Sequence, residues 1–123
     1  MPARHDLSGF IRSTFRSVWA LELLCFLRKG AERDWSRAEL VAGLRASELV
    51  VDQSLDALVA AGLVVLHLPD RVHYQPASAA LDALARAAEA QYASSPDKVR
   101  RLIVSSSSGG LNAFADAFRV RKD

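Results

Sequence analysis

Apolar residues recur every three or four positions over the first third of the chain, in the segment SGFIRSTFRSVWALELLCFLRK, residues 8–29. This is the period of an α-helix, which Ser8 or Asp6 is suited to begin and Gly30 to end. The apolar stripe is broader than one helix face. The pattern therefore predicts one long helix buried on more than one side, either at the centre of the core or between the core and a partner.

Two shorter helices with clear capping signals follow. Ser36 and Glu39 form a capping-box pattern, which predicts a helix from Ser36 to about Arg45. Ser47 is placed to cap the next helix, and Gly62 is placed to end it. The inner face predicted for that next helix consists of Val51, Leu55, Leu58 and Val59. The outer face predicted for it consists of Leu49, Val50, Gln53, Ser54 and Ala57.

After Gly62 the pattern changes from helical spacing to short runs rich in β-branched residues. LVVLHL (63–68) and RVHYQP (71–76) lie on either side of the turn signal Pro-Asp at 69–70. Such runs around a turn predict a two-stranded β-hairpin.

The last third of the chain predicts two further helices. SAALDALARAAEAQYA carries an apolar side, and SSPDKVRRLIVSS begins with Ser95 as a cap and Pro96 at the first helical position. Composition predicts a linker at SSSSGG, residues 105–110. A short apolar stripe in LNAFADAFRVRKD, residues 111–123, closes the chain.

Length and composition are those of one ordinary globular domain: 123 residues, half of them apolar and about a quarter charged. The single cysteine, Cys25, excludes an intramolecular disulfide. It lies in the apolar run LELLCFL and is expected to be a buried, inert thiol. The alternative, a redox sensor, would need an exposed thiolate near a positive charge such as Arg28.

Neither a membrane span nor a secretion signal is visible in the pattern. No apolar run approaches the ~18 residues of a transmembrane helix. The segment MPARHDLSGF lacks the apolar centre of a signal peptide. We therefore expect a cytoplasmic protein with no membrane partner.

Charge is unevenly distributed, although the net charge is only +2. Residues 1–45 hold eight basic and five acidic residues, and residues 98–123 hold six basic and two acidic ones. Residues 46–70 hold four acidic and no basic residues, and residues 71–97 hold three acidic and two basic ones. An acidic middle therefore lies between two basic ends.

The middle of the chain resembles the winged helix-turn-helix regulators of the MarR and ArsR kind. The resemblance lies in the capped helix SRAELVAGL, the short turn ASEL and the run VVDQSLDALVAAGLVVLHL, and it covers about residues 17–76. In those families the second of the paired helices runs into an Ala-Gly-Leu-Val motif that opens the wing, here Ala61 to Val64. Glycine lets the helix stop and the chain turn into the strand.

The resemblance implies a mainly α fold with a small β-hairpin, a winged helix-turn-helix with extra N- and C-terminal helices. Residues 1–77 would form the winged domain with its long N-terminal helix. Residues 78–123 would form a helical extension, either part of the same domain or a dimerisation module. Transcription regulation is the commonest role of such folds, although sites rather than folds carry function.

Regulators of this kind are usually two-fold dimers, so we expect a homodimer built from the first helix and the C-terminal helices. The residues expected to form its interface are Phe10, Phe15, Trp19, Phe114 and Phe118.

Double-stranded DNA is the partner that the resemblance implies, with the helix after Ser47 in the major groove. There Gln53 could pair with an adenine edge, Ser54 could meet a base or a phosphate, and Val50 could touch a thymine methyl. The helix N-terminus could hold a phosphate, and Arg71 would lie at the wing tip. The full predicted DNA-binding set is Arg37, Ser47, Val50, Gln53, Ser54, Arg71 and His73.

The charge of the same helix argues against DNA binding. It carries Glu48, Asp52 and Asp56, and no Lys or Arg occurs between Ala46 and Val64. Affinity for DNA comes largely from Lys and Arg that neutralise phosphates. Two functions therefore stay open: a DNA-binding transcription regulator, or a winged-helix module that binds another protein through this acidic helix.

Catalytic and metal-binding patterns are not apparent. His67 and His73 flank the hairpin turn with only Asp70 near them as a third candidate ligand, which falls short of a closed zinc site. The serines at 105–108 have no base beside them, and Gly109-Gly110 is not a phosphate-binding loop. We expect no enzyme activity, no metal and no cofactor.

Overall fold

In this computed structural model, residues 4–67 and 69–105 are described, residues 4 and 5 by their backbone alone. The chain is mainly helical with one small antiparallel hairpin, as predicted. The elements are α1 (Arg4–Thr14), α2 (Val18–Lys29), α3 (Arg37–Leu44), α4 (Glu48–Ala60), β1 (Val64–His67), β2 (Arg71–Tyr74), α5 (Ala79–Ser94) and a further helix, α6, over residues 96–105.

The prediction of one helix over residues 8–29 is wrong, because the chain breaks between α1 and α2. Ser17 has extended backbone angles, φ −153° and ψ 163°, and begins α2. Phe15 lies in the break, fully buried, with its ring edge-on to that of Phe10 at 5.8 Å. The apolar stripe was wider than one face because it belongs to two helices that both pack on the core. Gly30 ends α2 as predicted.

Hydrogen bonds at the helix ends agree with the predicted caps. The Glu39 N–H donates to Ser36 Oγ at 3.1 Å and the Ser36 N–H donates to Glu39 Oε1 at 2.9 Å, which completes the capping box of α3. The Val50 N–H donates to Ser47 Oγ at 3.1 Å at the start of α4. Local polar spacing therefore fixes where both helices begin.

Gly62 makes the turn from α4 into the hairpin. Its φ is +78°, in the left-handed region that favours glycine. Its N–H donates to Val59 O at 3.0 Å, and the next N–H, of Leu63, donates to Leu58 O at 3.0 Å. This is the Schellman pattern, and it sets the direction in which β1 leaves the helix.

The hairpin is joined to the loop before α3. Val64 pairs with Tyr74 and His67 with Arg71, and Pro69 and Asp70 lie in the turn between the strands. On the other side of β2, Trp35 and Val72 exchange two backbone hydrogen bonds of 2.8 and 2.7 Å. The start of α3 is thereby held beside the hairpin turn.

Helix α2 lies at the centre of the core, packed against α3, α4, α5 and β2. The central-helix interpretation is thus confirmed for α2. Ala85 and Ala88 of α5 and Val99 and Ile103 of α6 belong to the same hydrophobic cluster. The described part of the C-terminal extension therefore shares the core of the preceding residues. Among the described helices, none has the length and apolar character needed to cross a membrane.

Candidate functional site

The solvent-exposed side of α4 carries acidic residues and the exposed apolar side chain of Leu49. Five of its exposed residues form what we call the α4 face: Glu48, Leu49, Asp52, Gln53 and Asp56. Leu49 is 65% exposed, the largest value among the exposed large apolar side chains of the described residues. Three carboxylates therefore surround an apolar group that faces solvent.

The predicted orientation of α4 was wrong at three positions. Ser54 is only 2% exposed and Ala57 only 5%, whereas Val59 is 38% exposed. The buried arc is centred on Val51, Ser54, Leu55 and Leu58 because the small residues let α4 pack closely on its neighbours. Ser54 is therefore not available to contact DNA.

Arg37 links α3, α4 and the hairpin turn. Its Nε lies 3.1 Å from Asp52 Oδ1, and its Nη1 lies 3.3 Å from Asp70 Oδ1. Its backbone N–H also donates to Asp70 Oδ1 at 3.3 Å, at the positive end of α3. The guanidinium that was predicted to meet phosphate is thus held between two carboxylates.

The two basic residues predicted on the hairpin also face carboxylates. Arg71 Nη1 lies 3.9 Å from Glu39 Oε1, and His73 Nδ1 lies 3.0 Å from Asp34 Oδ1. The hydrogen bond from the Ser36 backbone, and after it the one from Arg33, lower the pKa of Glu39 from its ordinary value.

The surface made by α3, α4 and the hairpin is therefore acidic as a whole. Residues 34–73 hold three basic residues and six acidic ones, a net charge of −3, and Arg33 just before them pairs with Glu39 of this surface. The basic residues are Arg37, Arg45 and Arg71, and the acidic residues are Asp34, Glu39, Glu48, Asp52, Asp56 and Asp70. The bridge between Trp35 and Val72 brings these groups together.

A groove of about 440 Å³ runs between α3 and α4 beside this acidic surface. Val41, Ala42 and Val51 supply its apolar lining, and Glu48 and Asp52 supply carboxylates at its edge. Among the described residues, no Ser, Cys or His lines the groove. The groove suits an apolar or cationic side chain.

The remaining predicted DNA contacts differ in availability. Gln53 is exposed and Val50 is half-buried, so both reach the surface near the start of α4. The hydroxyl oxygen of Ser47 accepts the capping hydrogen bond.

Two of the residues predicted for a dimer interface lie inside a single copy. Phe10 is 9% exposed and Phe15 only 1% exposed, so neither forms part of the surface. Both face inward because the break after α1 folds that helix onto the core. Trp19 is 41% exposed and remains available, whereas Phe114 and Phe118 lie outside the described residues.

The other candidate chemical groups are not assembled into a centre. The rings of His67 and His73 lie 6.4 Å apart, and no group of three or more metal-ligating side chains occurs within the described residues.

Burial, and after it the charge of Glu89, raise the pKa of Cys25 to about 11. The thiol is half-buried rather than buried as predicted, and the raised pKa favours its protonated form at neutral pH.

The carboxylate partners of Arg37, Arg71 and His73 could not be seen in the sequence. Asp70 is 33 positions from Arg37, and no repeat or motif connects the two. Their meeting depends on the register of the hairpin against the loop before α3. The one available signal was the excess of acid over base between residues 46 and 70.

The sequence was compared with protein-family models, curated proteins and solved structures. No family model, curated protein or solved structure matches it.

Proposed function

We propose that residues 18–74 are a winged helix-turn-helix unit that binds a basic segment of a protein partner through the α4 face. The order α2, α3, α4 and hairpin supports the winged architecture. One observation carries the function: α4 exposes three carboxylates around Leu49, while Arg37 is occupied by Asp52 and Asp70.

Electrostatics favours a cationic partner over a nucleic acid. A protein gains DNA affinity by replacing the counterions of phosphates with Lys and Arg. Each carboxylate held about 4 Å from a phosphate costs on the order of 1 kcal/mol even at the dielectric constant of water. The α4 face would bring three such groups to the duplex and no unpaired cation.

The chemistry of the partner follows from that of the face. Leu49 offers an apolar contact, and Glu48, Asp52 and Asp56 offer acceptors for Lys or Arg. A partner helix with an apolar residue flanked by basic ones matches this pattern. One helix face buries less than a standard interface of ~1,600 Å², so the contact is weak and sensitive to salt.

The experiment uses a synthetic amphipathic peptide with Lys and Arg around a leucine. Amide chemical shifts of the full chain, titrated with the peptide, should change first along α4. Glu48→Lys/Asp56→Lys should weaken binding by at least about tenfold, because two attractive contacts become repulsive. Glu32→Lys, on an exposed residue of the loop after α2, is the matched control. Binding that the α4 variant leaves unchanged would refute the proposal.

DNA binding is the second candidate function, and two observations favour it. Gln53 is exposed near the start of α4, and residues 98–123 carry six basic residues against two acidic ones. Under this alternative a labelled duplex binds at low salt and dissociates as salt is added. Asp52→Asn/Asp70→Asn frees Arg37 and should raise the affinity for the duplex. Absence of binding at low salt would remove this candidate.

A further inference from the structure

Helix α6 presents a surface of opposite charge to the α4 face. Val99 and Ile103 are buried in the core, and the other side of the helix is exposed. We call that side the α6 face; it carries Lys98, Arg100, Arg101 and Val104, and the exposed Asp97 and Ser105 lie on it as well.

The two faces match in apolar content as well as in charge. Val104 is 54% exposed, and with Leu102 it lines an open groove of about 620 Å³ beside Lys98 and Arg101. The α4 face exposes three carboxylates near Leu49, and the α6 face exposes three cations and one carboxylate, Asp97, near Val104, which leaves a net charge of +2. Leu49 of the α4 face is of a size to enter the groove beside Val104.

Arg100 is already ordered on α6 by contacts within the chain. Its guanidinium lies 5.7 Å from the ring centre of Tyr92 and 3.0 Å from Asp97. Holding this side chain in place lowers the entropy that binding would otherwise cost.

Within one copy the helices that carry the two faces adjoin different elements. Helix α6 shares a cleft with α1 and α5, lined by Leu7, Ile11, Gln91 and Leu102. The α4 face adjoins α3 and the hairpin turn through the contacts of Arg37. Each face is therefore available to another molecule.

We infer that the basic partner of the α4 face is the α6 face of a second copy of this chain. This inference rests on the proposed function, since it names the partner of the same surface. The contact joins two unlike patches, so a pair of bound copies still has one patch of each kind free. Such heterologous contacts build rings or open chains rather than a two-fold dimer.

Sedimentation velocity on the full chain tests this inference. At about 0.05 M salt the mass should rise with protein concentration beyond that of a dimer, and at about 0.5 M salt it should return to the monomer's. The monomer mass is 13.4 kDa. A mass that stays at the monomer value at low salt, or stops at the dimer, would overturn the inference.

Two variants that each disable one face give a sharper result. Glu48→Lys/Asp56→Lys disables the α4 face, and Lys98→Ala/Arg101→Ala disables the α6 face. Each should sediment as a monomer alone, while an equimolar mixture should form a 1:1 dimer that grows no further, because only one compatible pair of faces remains. A mixture that stays monomeric refutes the inference. Lys29→Ala, which removes an exposed cation of α2, should associate like the parent chain.

The same samples separate this inference from the proposed function. If the parent chain is monomeric at low salt but binds the basic peptide through α4, the second-copy inference fails and the proposed function stands. If neither association nor peptide binding depends on the α4 face, both fail. Circular dichroism of each variant verifies that loss of binding is not loss of fold.

Discussion

Arginine–carboxylate pairs occur in two regions of the molecule and differ in their access to water. Between α2 and α5, which we call the α2–α5 seam, Arg28 pairs with Glu89, and their side chains are 14% and 30% exposed. On the acidic surface Arg37 pairs with Asp52, and their side chains are 45% and 54% exposed.

The two regions therefore have different roles. Removing one partner of a shielded pair leaves a charge that water reaches poorly, which destabilises the fold. Removing one partner of an exposed pair leaves a well-solvated charge and changes mainly the surface potential. The α2–α5 seam therefore contributes to the stability of the fold. The acidic surface sets the electrostatic potential that a binding partner meets.

Arg28→Ala should have the largest effect on stability. It leaves Glu89 without its cation and removes the guanidinium that lies 5.7 Å from the Tyr74 ring centre. We expect the free energy of unfolding to fall by about 2 kcal/mol, below the range for fully buried pairs because Glu89 keeps some water. Urea unfolding measures the change.

Arg86→Ala is the matched control for that variant. Arg86 pairs with Asp82 at 3.1 Å, but its side chain is 70% exposed. Its removal should change the free energy of unfolding by less than about 0.5 kcal/mol. Equal losses in the two variants would contradict the distinction between the two regions.

Tyr74→Phe should have the next largest effect. The Tyr74 hydroxyl donates to Asp82 Oδ1 at 2.8 Å, and its loss should lower the free energy of unfolding by about 1 kcal/mol. Burial, and after it the hydrogen bond to Asp82, raise the pKa of Tyr74 to about 12. Because the pKa of Tyr74 in the folded state is above the ordinary 10.0, the protonated hydroxyl contributes its full stabilisation to the fold below pH 10. That stabilisation is lost as the pH rises toward 12.

Unfolding curves at several alkaline pH values therefore test the assignment. The parent chain should lose stability over that range more steeply than the Tyr74→Phe variant. Parallel curves for the two proteins would show that Tyr74 is not the group responsible.

Local signals in the sequence predicted the helix ends but not the packing between helices. Ser36, Ser47 and Gly62 act on hydrogen bonds within a few residues, so spacing alone located them. The break at residues 15–17 has no Gly or Pro to mark it, and the apolar period continues through it. Phe15, inside the break, is buried in the core cluster with residues of α2, α4 and α5, so the break goes with tertiary packing.

Close helix approach was equally hidden from the sequence. A Cβ on Gly43 would lie 2.5 Å from Phe26 Cζ, and one on Gly30 would lie 2.4 Å from Trp35 Cζ2. Each glycine is needed because an aromatic ring from elsewhere in the chain lies against it. The sequence predicted the negative charge of the candidate site. The orientation of α4 and the partners of Arg37 could be seen only in the folded structure.

Glu39→Gln, a substitution on the acidic surface, should have a smaller effect on stability, and this effect should depend on pH. The lowered pKa of Glu39 means that its carboxylate stabilises the fold above the ordinary pKa of 4.5, and that this contribution is lost as the pH falls. The variant should therefore lose less stability on acidification than the parent chain. Thermal unfolding at neutral pH and at a pH below 4.5 compares them, and identical slopes would argue against this role for Glu39.

Arg37→Ala should have the smallest effect on stability. It should also increase the affinity for the basic peptide. Its two ion pairs are exposed, so the free energy of unfolding should fall by no more than about 1 kcal/mol. The variant frees Asp52 and Asp70 and makes the surface more negative by one charge. Affinity for the basic peptide should then rise by about two- to threefold at low salt, a gain that disappears as salt screens the added attraction.

Arg86→Ala removes the same charge from α5, away from the α4 face, and should leave peptide affinity nearly unchanged. A comparable gain in both variants would mean that the peptide responds to net charge alone. A loss of affinity for the DNA duplex in Arg37→Ala would mean that Arg37 contacts phosphate, which DNA binding requires and binding of a basic segment does not. The sign of this one small change therefore separates the two candidate functions of the surface.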